Sequence, residues 1–443
     1  MALGGGTWQS QNKILPGAYI NFISKDRADS ALSERGVAAA PLTLSWGEEG
    51  AVMTVTAKSF RADCKKLFGY AYDAPEMISL REIFRHAGRV YCYRLGAGTK
   101  AQTAKYGSAK YPGVRGNAIK VTVAANADDA TLFDVVTFFD GAEADRQTVK
   151  TFAGLKDNDY VVWASSGTLA ADAGTAFSGG ADCTAITGEH YQAFLSAIEG
   201  YVFNALCCPV VPTDASTKST VALFVSFTER MRSEVGSKFQ LCAVKPEADN
   251  EGVVGILNSA VYNGGDATGA LAFWTTGALA AAEVGSSLTN SKYDGELTID
   301  TGYTQAALAE ALGAGRFVFH SVGGDVRVLA DINTLRTFTA DKGEVFADNQ
   351  TVRLCDGIAG DIAALFAERY SGMVPNDAAG RAALWNDTVK LMRRLEGLRA
   401  IEDFDPASVT VSAGDKKGAV RLDIDALKVV GAMSQLYMSV IIR

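Results

Sequence analysis

Residues 189–244 read EHYQAFLSAIEGYVFNALCCPVVPTDASTKSTVALFVSFTERMRSEVGSKFQLCAV. Tyr191, Phe194, Leu195 and Ile198 recur at three- and four-residue spacing, which puts them on one face of a helix over 189–199. The largely apolar run 201–207 then reads as a buried strand. A longer helix covers 216–235, with Val221, Phe224, Val225, Thr228, Met231 and Val235 in register and Gly236 placed to close it. A second strand follows at 239–244. Helices over 267–284 and 304–312 and strands over 316–320 and 326–329 continue the alternation. Strands separated by helices predict a mostly parallel sheet covered on both faces.

Upstream, residues 41–56 give a strand–turn–strand signal: Leu42, Leu44 and Trp46 alternate, Gly47 to Gly50 turn, and Val52 to Val55 resume. Phe60, Cys64, Leu67 and Phe68 mark a short helix stopped by Gly69. A helix over 75–87, with Ile83, Phe84 and Ala87 inward, and a strand over 89–95 follow. From 101 to 182 the runs are of β type, at 118–123, 132–139, 147–152 and 160–164. Residues 170–182 are rich in Ala, Gly, Ser and Asp and read as a linker.

Downstream, helices over 351–370 and 377–399 precede a hairpin at 408–412 and 419–424 around Gly414 to Gly418. The last segment, 435–443, alternates Leu436, Met438, Val440 and Ile442 with Gln435, Tyr437 and Ser439, the period of a strand with one buried face. Near the other end, 15–23 also reads as a strand, carrying Tyr19, Ile20 and Phe22. The expected fold class is α/β multidomain, with a mixed central α/β domain, an inserted small β-sandwich-like domain, an α+β C-terminal domain, and extended N- and C-terminal strand arms. The parts divide as 1–34 (arm and linker), 35–100 and 185–335 (α/β core), 101–184 (β insert), 336–425 (α+β) and 426–443 (arm).

Of the 443 residues 48% are hydrophobic and 21% charged, which describes a folded chain with sizeable cores. A net charge of −8 gives no case for nucleic acid or a membrane surface. No signal peptide and no membrane span are read, and the seven scattered cysteines include no Cys-x-x-Cys pair. Only His86, His190 and His320 are present, in no metal-ligand spacing. There is no Gly-x-Ser-x-Gly elbow or phosphate loop, and the glycine pair at 313 and 315 closes a helix instead of opening one. No catalytic, cofactor or metal constellation emerges. Lys390, Arg393 and Arg394 share one face near a helix C-terminus, which fits either a solvated face or an acidic partner.

The chain resembles the sheath proteins of contractile phage tails and related phage-like particles. The resemblance rests on Leu15 to Phe22 followed by Arg35-Gly36-Val37, on Phe60 to Gly69, on Lys110 to Asn117 before the β insert, and on Glu229 to Arg232 with Lys238-Phe239-Gln240. The order of parts matches over nearly the whole length. It implies a subtilisin-like topology without protease activity, and subunits that form six-fold rings stacked around an inner tail tube. It also implies terminal arms that add strands to neighbouring copies, segments 24–35 and 425–434 acting as hinges, and no cofactor. Implied partners are neighbouring sheath subunits, the inner tail tube protein, baseplate and tail terminator proteins, with no nucleic acid and no membrane insertion. The implied location is a virion or tail-like particle assembled in the host bacterial cytoplasm. The tube would face Lys390, Arg393 or Arg394. The rival expectation is an α/β enzyme of unknown substrate, with convergent polar groups in a pocket.

Overall fold

Val37-Ala38-Ala39-Ala40-Pro41-Leu42 is buried at every position, and it forms the strand around which the molecule is organised. The computed structural model describes residues 35–96 and 98–442. The central sheet comprises β1 (Val37–Leu42), β2 (Val52–Thr56), β3 (Arg89–Arg94), β4 (Ala205–Cys208), β5 (Gln240–Val244), β6 (Val253–Ile256) and β7 (Arg316–Phe317). Their spatial order is β7-β6-β5-β4-β1-β3-β2, parallel throughout except where β2 meets β3.

The helices are α1 (Ala57–Phe68), α2 (Ile78–Ile83), α3 (Gly188–Ile198), α4 (Ala215–Arg230), α5 (Thr268–Ala281), α6 (Gln305–Gly313), α7 (Asn349–Arg369) and α8 (Ala378–Gly397). Side chains of one strand divide between two cores, as a two-residue period requires. Ala38, Ala40, Cys92, Cys207 and Cys242 pack with α2 and α5, whereas Ala39, Tyr93, Leu206 and Leu241 pack with α3 and α4. α5 is buried from Ala270 to Ala280, which suits a helix apolar on all sides.

The strand–turn–strand expectation for 41–56 needs correction. β1 begins earlier, at Val37, and β3 lies between β1 and β2 in the sheet. A strand buried on both faces shows no alternation, so its run of alanines carries no period-2 signal. Trp46 belongs to neither strand. It is buried in the inserted domain's core beside Tyr111, Phe139 and Tyr160. Its place is set by Gly69, the left-handed C-terminal cap of α1 (φ 76°), where any Cβ would lie 2.6 Å from Trp46 Cβ. β6 lies outside the sequence expectation: it is a buried four-residue run entered directly from the turn at Asn250 to Gly252.

The inserted unit packs two antiparallel sheets. One has the order Asp172–Ala176, Ile119–Ala125, Phe133–Phe139, Ala142–Val149; the other joins Gln102–Thr103, Gly107–Ala109 and Val161–Trp163. The strand expected at 147–152 starts earlier, and Phe152 begins a short 3₁₀ turn. The linker expected over 170–182 is instead partly an edge strand. Asp172 anchors it, accepting from the Lys105 ammonium at 2.5 Å, the Tyr106 hydroxyl at 2.6 Å and the Gly174 N–H at 2.8 Å. Ladder pairing uses the backbone, so a small-residue composition does not forbid it. Buried Arg94 joins insert to core, donating to the carbonyls of Leu44, Gly47 and Pro112.

In the C-terminal unit, α7 and α8 pack with the hairpin Val409–Ala413 and Val420–Ile424. Both helices open on an aspartate cap: Asp348 accepts from the Thr351 N–H and Asp377 from the Gly380 N–H, each at 2.8 Å.

Candidate functional site

The C-terminal segment leaves the α+β unit at a fixed point. Lys428–Val429 pairs antiparallel with Ile401–Glu402, and the Val430 N–H donates to the Ala400 carbonyl at 3.1 Å. Gln350, 2% exposed in the first turn of α7, closes this root. Its Nε2 donates to the carbonyls of Gly285 at 2.6 Å and Val430 at 2.8 Å, and its Oε1 accepts from the Ala432 N–H at 3.1 Å.

The turn that holds Gln350 is itself braced. Asn349 links Asp331 (3.0 Å) to Gln240 of β5 (2.8 Å), and Arg353 meets Asp331 at 2.6 Å with both side chains buried. The arm root is thereby tied to the central sheet. Within the segment 425–434 expected as a hinge, residues 428–432 are bonded to the α+β unit through paired backbone and the Gln350 amide.

Residues 433–442 have neither helix nor strand, and their apolar side chains are bare. Leu436 is 87% exposed, Met438 77%, Val440 71% and Ile442 91%, and Tyr437 and Ile441 on the opposite parity are equally open. The sequence pattern predicts a strand here. A strand needs a ladder partner, and the described residues pair none with it. Tyr19, Ile20 and Phe22, the residues expected in the other arm, lie outside the described residues.

The hairpin Val409–Ala413/Val420–Ile424 is a sheet of two strands in this chain, with both edges unpaired by any further strand among the described residues. The Trp385 indole covers one end, donating to the Val409 carbonyl at 2.8 Å. Lys390, Arg393 and Arg394 stand exposed on α8. Lys390 reaches Asp387 at 3.3 Å, and Asp387 also accepts from Arg369 and Tyr370, so this face is partly neutralised by its own helix pair.

Four family models together match most of the chain. Models for the phage tail sheath protein β-sandwich, central and C-terminal domains match residues 96–182, 184–334 and 341–443, and a tail sheath protein Gp18 domain III N-terminal region matches 35–95. The phage-like element PBSX protein XkdK of Bacillus subtilis is 30% identical over 99% of both chains. The chain belongs to the phage tail sheath protein family. A sheath tail protein of Desulfitobacterium hafniense has the same fold, at 38% identity and TM-score 0.77 over 90% of this chain and 93% of that one. The helical sheath of the anti-feeding prophage, in its contracted state, is alike in fold alone, at 12% identity and TM-score 0.55 over 97% and 99%.

The family is one of structural sheath proteins found in phage tails and tail-like particles. His86 contacts Asp294 at 3.2 Å and the edge of Trp274. His190 accepts the Thr187 N–H in the cap of α3. His320 sits in a separate hairpin, where burial lowers its pKa. Burial pushes the Cys64 thiol up to about 11 and Cys208 to about 12, which removes thiolate character. Among the described residues no group of three His, Cys, Asp or Glu is placed to hold a metal ion, and no helix is long and apolar enough to cross a membrane. Sequence reasoning missed Gln350. Its partners lie 65 to 82 residues away, and an amide in a helix's first turn gives no local sign of them.

Proposed function

We propose that this sheath-family chain polymerises into a contractile helical sheath around an inner tube, its copies joined by exchange of terminal strands. Contraction then drives the tube through a target cell envelope. The observation that carries this reading is the bare apolar segment Leu436–Ile442 on a rigid root. Exposed strand-forming residues of this kind favour adding to an open sheet edge, where main-chain bonds supply affinity and alternate side chains set register. Ten residues from Met433 to Ile442 reach roughly 33 Å at ~3.3 Å per residue, enough to enter a neighbouring copy. The two-stranded hairpin Val409–Ala413/Val420–Ile424 is the acceptor we favour, since no further strand among the described residues covers its edges and an open edge can take an added strand.

In this reading the arm of residues 19–22 serves the same exchange from the other end. The exposed Lys390, Arg393 and Arg394 face an acidic inner tube, and baseplate and tail terminator proteins bound the sheath. Assembly takes place in the host bacterial cytoplasm. Removing residues 436–443 tests the proposal. The shortened chain should keep its circular dichroism spectrum and melting behaviour yet form no tubes in negative-stain micrographs; tubes of ordinary length from the shortened chain would refute strand exchange through this arm.

A further inference from the structure

α7 carries a different surface at each of its ends. At its C-terminal end, the turn into α8 and the tip of the hairpin enclose a groove of about 630 Å³. Phe366, Tyr370, Met373, Val374, Leu384 and Val420 make it apolar, and Met373 on its rim is 60% exposed. The walls are bonded to each other. The Asn376 amide donates to the Ala419 carbonyl at 2.7 Å, and Arg381 Nη1 donates to Asn376 Oδ1 at 2.9 Å. The groove is therefore formed before anything binds. Arg381 and Lys417 line it and no carboxylate does. Neither cation meets a carboxylate among the described residues, and Asp377, next to the wall, is committed to the Gly380 N–H.

At the N-terminal end, residues 336–345 form the loop that leads into α7. Its base is pinned: Asp249 accepts from the Arg336 and Thr337 N–H groups at 2.6 and 3.2 Å. The loop's cations are engaged there too, Lys342 with Glu251 at 2.5 Å and Arg336 with the Ala248 carbonyl at 3.1 Å. The tip closes on itself, the Thr339 N–H donating to the Lys342 carbonyl at 2.9 Å. Phe338 and Val345 nonetheless stand 47% and 54% exposed, and Phe338 is the most exposed phenylalanine among the described residues. Asp341 and Glu344 are exposed beside them, with no basic partner among the described residues.

We infer that the loop of one copy docks in the groove of a second copy, Phe338 entering the apolar floor while Asp341 and Glu344 meet Lys417 and Arg381. Each patch leaves unpaired the charge that the other supplies. The C-terminal arm fits this groove less well, because residues 433–442 contain no carboxylate. α7 is 21 residues long, so at ~1.5 Å per residue it holds loop and groove roughly 32 Å apart. A copy cannot fill its own groove. The contact joins two different patches, and such head-to-tail contacts build rings or open helical arrays instead of two-fold dimers. The inference rests on the reading that the copies polymerise, and it adds a contact separate from strand exchange.

Zero-length carbodiimide coupling tests it on the native full-length chain, since it links an ammonium to a carboxylate only where the two touch. Isotope-labelled and unlabelled copies are mixed, concentrated, coupled and mapped by mass spectrometry. The expected product is an amide between Lys417 of one copy and Asp341 or Glu344 of the other. Asp341→Lys and Lys417→Glu, both exposed and free of side-chain bonds among the described residues, should each raise the concentration needed for assembly by roughly 5-fold. The two together should recover most of that loss. Tubes in which Lys417 couples to neither carboxylate, or in which both single variants assemble like the parent, would overturn the docking and leave the polymerisation reading standing. A chain that forms no tubes overturns that reading. The docking falls with it only if concentrated copies also give no amide between them.

Discussion

Replacing Gln350 with alanine isolates the device that aims the C-terminal arm. The substitution removes three hydrogen bonds, to Gly285 O, Val430 O and Ala432 N–H, from a side chain 2% exposed. At roughly 1 kcal/mol net for each, the loss is about 3 kcal/mol. Two of the three bonds end on the arm root, so about 2 kcal/mol falls on the opening of residues 428–432, which should grow by roughly 30-fold. Hydrogen exchange followed by mass spectrometry reads this directly, since the Val430 and Ala432 amides are both bonded in the native chain. The expected result is a selective loss of protection over 428–432, with β4 and β5 of the central sheet unchanged. Unchanged protection at the root alongside a general fall in stability would show that Gln350 supports the core and does not set the arm.

Other perturbations follow from the same contacts. Gly277→Ala puts a Cβ 2.4 Å from the Ile83 carbonyl where α5 crosses α2; urea titration should show a net loss of about 1–2 kcal/mol, whereas Gly313→Ala, which meets nothing within 4 Å, should be neutral or slightly stabilising. If both glycines respond alike, the close helix crossing is wrong. Burial raises the Glu82 carboxyl above the ordinary 4.5, against the pull of the Tyr293 hydroxyl and the Glu296 N–H. A raised folded value means that the stability Glu82 contributes is complete below 4.5 and lost as pH climbs through the folded value. The melting temperature of Glu82→Gln should therefore gain on the parent between pH 4 and pH 7; a constant difference would contradict the assignment. Reversing Lys390, Arg393 and Arg394 to glutamate should leave the fold intact, because all three are exposed, and should abolish co-assembly with the inner tube. Unaltered co-assembly would mark that face as merely solvated.

Much of the architecture is written locally. Gly69 and Gly236 stop their helices in left-handed conformations at φ 76° and 86°, and the apolar spacing of Phe194, Leu195 and Ile198 gives α3 directly. Strand order is not local. Nothing in Val37–Leu42 or Val52–Thr56 says that Arg89–Arg94 will lie between them, since backbone pairing is indifferent to side-chain identity. Asp172–Ala176 hid for the same reason, its strand character coming from Ile119–Ala125 beside it.

The arm shows the opposite case. Its alternation at Leu436, Met438, Val440 and Ile442 is plain in sequence, yet no strand among the described residues pairs with it.

Electron cryo-microscopy of tubes assembled from the full-length chain tests the strand exchange most directly. The account predicts that residues 436–442 form a strand hydrogen-bonded to the Val409–Ala413/Val420–Ile424 ribbon of a different copy. A map in which that segment pairs within its own copy, or pairs with nothing, would contradict it.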